Sequence, residues 1–153
     1  MSHLNFYNLT LFLIWLGVAI FYPAIISIYG KLPLFIGFAG LIFIKGLQKD
    51  NTLYILFSLI YMFSLEINLS LPLFLIPLSA IFYYYFFLDK LRIIYHCNLC
   101  INIITVISIN LIYLFLLTIY DIISSQSSIS YDSFIISTII FDILAAVIVQ
   151  DEI

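Results

Sequence analysis

Charge of either sign is what this chain lacks. Five Lys or Arg and eight Asp or Glu are spread over 153 residues. Charged residues reach only 8%, against ~25% in an ordinary globular protein. So little ionic surface cannot clothe a water-soluble domain of this length, and that class is excluded. The net charge of −3 is too small to mark a nucleic-acid partner. A structural zinc site needs four ligands, and beyond His96, Cys97 and Cys100 only the distant His3 remains, with no further cysteine. His96-Cys97-Asn98-Leu99-Cys100 therefore reads as a pair of small apolar thiols on a helix, without metal. A thioredoxin-like role would want a βαβ setting that is missing here, and the reducing side of the membrane disfavours a standing disulfide. Also absent are G-x-S-x-G, H-E-x-x-H, a P-loop and the paired aspartates of lipid phosphotransferases. Catalysis needs converging polar groups, so no enzyme and no cofactor are expected.

What fills the chain instead is apolar, at 65% of residues. The runs 9–29, 71–88, 101–120 and 134–149 are almost continuously Leu, Ile, Phe, Tyr and Val. A helix of about 20 apolar residues crosses the ~30 Å hydrocarbon core of a bilayer. Backbone polar groups in lipid must pair internally, which leaves helices or a closed barrel. Barrel strands alternate apolar and polar residues, whereas Phe74-Leu75-Ile76 and Ala80-Ile81-Phe82 do not. The expected fold is all-α, a polytopic transmembrane helical bundle in which residues 1–153 form a single integral membrane domain.

Six spans are expected, at 9–29, 33–47, 52–69, 71–88, 101–120 and 134–149, or five if the short second one does not cross fully. Met1-Ser2-His3-Leu4-Asn5 lacks the basic start of a signal peptide, so the first span is expected to stay as an anchor. Pro23 is expected to kink or shorten it. Pro33 is expected in the first turn of the second span, where a missing N–H costs nothing. Lys49-Asp50-Asn51-Thr52 reads as a polar turn, and the aromatic block 83–87 beside Asp89, Lys90 and Arg92 as a membrane–water interface. Lys45, Lys49, Lys90 and Arg92 fall on one side and Lys31 on the other, which gives N-in and C-in. The serine-rich segment 124–128 then lies outside. No internal repeat or heptad stands out.

Few residues remain to carry a specific role. Glu66 lies about a turn from the end of its span, where a carboxylate snorkels to water or makes an interhelical or partner-facing contact. At mid-bilayer its insertion costs on the order of 2.5–3.5 kcal/mol. Asp142 lies deeper, on one helical face with Thr138, Ala145 and Ala146. It is expected to pair with Ser108, with Asn110 or with a partner helix. Gly37-Phe38-Ala39-Gly40 allows a close helix crossing. Lys90 and Arg92 set topology and offer contacts to anionic lipid or a cytoplasmic protein.

Residues 31–85 resemble the rod shape-determining protein MreD family. The matching pieces are Lys31-Leu32-Pro33-Leu34, the polar turn 48–52, and Ser64-Leu65-Glu66-Ile67-Asn68-Leu69-Ser70-Leu71-Pro72-Leu73. The family more often has Asp where Glu66 stands and Gly where Phe74 stands. The resemblance implies a non-enzymatic scaffold subunit of the cell-elongation machinery in the bacterial inner membrane. Its partners would be MreC, and through it the MreB filament, RodA and a wall transpeptidase. Glu66, Lys31, Pro33, Pro72, Asp142, Lys90 and Arg92 are the expected partner-binding residues. MreD-like proteins are also similar in fold to the substrate-binding membrane subunits of energy-coupling-factor transporters, so a small-molecule binder is the alternative.

Overall fold

Apolar runs without alternation fold here as helices. A computed structural model describes residues 6–29, 32–94, 97–124 and 134–148. Among them are seven helices and no strand: α1 (Phe6–Tyr29), α2 (Ile36–Gln48), α3 (Thr52–Asn68), α4 (Leu75–Phe86), α5 (Leu88–Ile94), α6 (Asn98–Ser124) and α7 (Phe134–Ile148). Six of them answer to the six apolar segments. The addition is α5, a short helix on the charged stretch after the aromatic block, with Asp89 in its first turn, where the helix dipole favours a negative charge. Among the described residues one helix, Asn98–Ser124, is long and apolar enough to cross a membrane. Lys31, His96, most of the serine-rich segment and the two chain ends lie outside the described residues.

α2 is the axis of the bundle. It packs against α3, α4, α6 and α7, while α1 lies along α3. Eight of its 13 residues are buried, including Gly37, Gly40 and Gly46. The small residues of 37–40 bring α6 as close as expected. A Cβ at Gly40 would collide with the Ile109 side chain, and one at Gly37 with the Val106 carbonyl. The main apolar core joins Ile26, Leu34, Ile36, Phe43, Met62, Leu65, Ile76, Tyr113 and Leu117.

The polar turn behaves as its residues dictate. Asp50 adopts the left-handed region (φ 50°), and the Asn51 side chain caps α3 by accepting the Leu53 N–H at 3.1 Å. α1 is not cut short at Pro23 and runs on to Tyr29.

Two boundaries differ from expectation for one reason. Pro33 and Pro72 do not sit in a first helical turn, because α2 begins only at Ile36 and α4 only at Leu75. Each helix is preceded by the same four residues, Leu32-Pro33-Leu34-Phe35 and Leu71-Pro72-Leu73-Phe74. In both, the phenylalanine takes a left-handed backbone, φ 51° at Phe35 and φ 70° at Phe74. A left-handed residue cannot be part of a right-handed helix, so the helix starts after it. The chain does contain an internal repeat. It extends upstream, since Tyr22 and Tyr61 each precede their Leu-Pro-Leu-Phe segment by the same interval.

Candidate functional site

The two repeated lead-ins create the same problem. A helix begins inside the protein with its first N–H groups unpaired, and the residue before it, a phenylalanine, offers no capping side chain. A buried N–H without a partner costs about 1–3 kcal/mol. In both places a carboxylate from a different helix fills the gap.

At the start of α4 the carboxylate is Glu66, near the end of α3. Its Oε2 accepts the Phe74 N–H at 2.8 Å and its Oε1 the Ile76 N–H at 2.7 Å. Its own carbonyl accepts the Leu71 N–H at 2.9 Å, which closes the turn between the helices. Pro77, in the first turn of α4, has no N–H to satisfy. Phe74 is 63% exposed, and its ring meets Phe63 edge-on at 5.1 Å.

At the start of α2 the carboxylate is Asp142 of α7, more than a hundred residues away in sequence. Its Oδ2 accepts the Gly37 N–H at 2.9 Å and the Asn110 Nδ2–H at 2.7 Å. Asn110 donates as well to the Val106 carbonyl at 3.1 Å. Oδ1 of Asp142 has no hydrogen-bond partner among the described residues. The extended backbone ahead of α2 is held by the two repeated tyrosines. Tyr22 Oη donates to the Pro33 carbonyl at 2.9 Å, and Tyr61 Oη to the Leu34 carbonyl at 2.7 Å. A Cβ at Gly37 would come within 3.0 Å of both Val106 O and Asp142 Oδ2. Glycine is therefore what lets the carboxylate reach the helix start.

The expected site residues thus fall into two groups. Pro33 lies in the lead-in to the helix start that Asp142 bonds, and Pro72 in the lead-in to the one that Glu66 bonds. Glu66 was expected at the interface with water, or else in an interhelical or partner-facing contact. It is fully buried and the contact is interhelical, because the start of α4 folds back over the end of α3 and takes both its oxygens. Asp142 is equally enclosed, and Asn110 is the partner the structure selects for it. Lys90 is exposed on α5, and Arg92 belongs to the same short helix. Lys31 lies outside the described residues.

The roles of Tyr22 and Tyr61 escaped the sequence reading. Their signal is the repeat itself, a tyrosine at a fixed interval ahead of Leu-Pro-Leu-Phe. The second copy carries Glu66 where the first carries Ser27, whose hydroxyl donates to the Ala24 carbonyl of its own helix at 2.7 Å. The first copy has no carboxylate of its own and borrows Asp142. Comparison with family models, curated proteins and solved structures finds no match for the chain.

Proposed function

We propose that this chain is a non-enzymatic, multi-pass scaffold of the bacterial inner membrane, a subunit of the cell-elongation machinery that governs rod shape and peptidoglycan synthesis. It acts through helix–helix contacts with partner membrane proteins of the MreC and RodA kinds and with a wall transpeptidase. The observation that carries this reading is where the buried polar groups point. Glu66, Asp142, Asn110, Tyr22 and Tyr61 all bond the chain's own backbone or one another. The outer faces of α1, α6 and α7 meanwhile carry exposed Phe21, Ile28, Phe115, Ile122, Phe141 and Ile148. An apolar exterior around internally paired polar groups suits lipid and partner helices, and leaves little with which to process a substrate.

The lead-ins support a membrane setting. With 13 residues α2 is about 20 Å long, short of the ~30 Å hydrocarbon core. The extended segment ahead of it lengthens the path, and irregular backbone at that depth is tolerated only when buried and bonded by the protein. Position 74 supports the MreD resemblance in particular. Its left-handed φ is one that glycine enters freely, and MreD-like sequences more often carry Gly there. In this topology both ends lie inside. Lys45, Lys49, Lys90 and Arg92 serve the inner face, and Lys31, Pro33 and Pro72 mark the outer one.

Depletion of the protein in its host tests the proposal. Cells should round or widen, and crosslinking in the native membrane should recover an MreC-like partner. Unchanged shape with unchanged wall synthesis would refute it. Capture of a vitamin or similar small molecule by the purified chain would replace it with the transporter-subunit reading.

A further inference from the structure

The two cysteines stand at the first turn of α6. Cys97 precedes the helix, and its carbonyl accepts the Ile101 N–H at 3.1 Å, so it is the N-cap residue. Its Sγ accepts the Cys100 backbone N–H at 3.5 Å, the bond that a serine or aspartate makes at this position. Cys97 is exposed, Cys100 is half-buried, and neither is in a disulfide. Residues three apart in a helix have Cα atoms about 5 Å apart. That falls inside the 4.4–6.8 Å span a disulfide bridges, so the pair can close with little backbone movement. A helix N-terminus also stabilises negative charge, which favours the thiolate that attacks.

We propose that Cys97 and Cys100 form a redox-active dithiol that closes reversibly to an intramolecular disulfide by exchange with a disulfide donor. The Cys97 thiolate attacks one sulfur of the donor and expels the first donor thiol, leaving a mixed disulfide on Cys97. Cys100 then gives up its proton and attacks the Cys97 sulfur. The Cys97–Cys100 bond forms and the second donor thiol leaves. Two electrons pass from the pair to the donor, which ends as two thiols. Hydrogen bonding from the Cys100 side chain, reinforced by its backbone N–H, holds the Cys97 thiol below its ordinary range, in keeping with its role as the attacking sulfur. A reducing compartment keeps the pair open, so the closed form is a response to oxidant.

The full chain in detergent provides the test, and with only two cysteines every thiol signal belongs to this pair. The protein is incubated in glutathione–glutathione disulfide mixtures, quenched in acid, labelled with a maleimide and weighed intact. The expected result is loss of both thiols together in a monomer with no glutathione attached. Cys97 in the Cys100→Ser variant should alkylate roughly threefold or more faster than Cys100 in the Cys97→Ser variant. Serine at 97 caps the helix in place of the thiol, so the fold of that variant is kept. Two free thiols in excess glutathione disulfide, a stable glutathione adduct, covalent dimers, or equal alkylation rates would each overturn the proposal.

Discussion

Glu66→Gln and Asp142→Asn are the same chemical change, yet the two sites should answer it differently. Glu66 uses both oxygens, one for the Phe74 N–H and one for the Ile76 N–H. An amide must turn its NH2 toward one of these donors. The less costly choice keeps the carbonyl on the buried Ile76 N–H and sets donor against donor at the part-buried Phe74. One hydrogen bond to a charged group is lost, about 1.5–3 kcal/mol, together with about 0.5 kcal/mol of favourable charge at the helix start. The Gly37 N–H and the Asn110 Nδ2–H both bond Oδ2 of Asp142, and Oδ1 has no hydrogen-bond partner among the described residues. An amide oxygen can take the place of Oδ2, and the NH2 falls where no acceptor bond existed. Only the charge assistance goes, about 1 kcal/mol. At roughly 2–4 °C per kcal/mol for a chain of this size, Glu66→Gln should lower the melting temperature by about 4–14 °C and Asp142→Asn by about 2–4 °C. Both are read by fluorescence-detected size exclusion after heating in one detergent. Equal shifts, or the reverse order, would refute the capping geometry on which the site rests.

Gly37→Ala should destabilise by about 3 kcal/mol, since its Cβ meets the Val106 carbonyl, which cannot move without α6. Gly17→Ala, in α1 with nothing within 4 Å, should gain about 0.5–1 kcal/mol, and the two melting temperatures side by side check the close crossing. Tyr61→Phe keeps the ring and removes the donor to the Leu34 carbonyl, so a loss of about 1–2 kcal/mol is expected in the same thermal assay. A neutral Tyr61→Phe would mean that the lead-in to α2 is held some other way.

Sequence alone determined the class of structure. Unbroken apolar runs and 8% charge force backbone groups to pair locally, and helices are the local solution. It also placed the polar turn at 49–52 and the close face at Gly37 and Gly40, and it named Asn110 among three alternatives for Asp142. In each of these the residue types carry the reason within a few positions of themselves. The helix starts were decided elsewhere. Pro33 read as a first-turn proline because proline is at home there, and Leu71-Pro72-Leu73 as the start of the fourth span. Only the backbone shows Phe35 and Phe74 in a left-handed conformation that postpones each helix. Glu66 looked interfacial because it lies near a helix end, yet the fold brings the start of α4 back over it. Asp142 reaches Gly37 across most of the chain, through a gap that exists only when α2, α6 and α7 are packed together. A strained backbone residue and a cap supplied from another helix are properties of the assembled bundle. No single segment carries the groups that satisfy them.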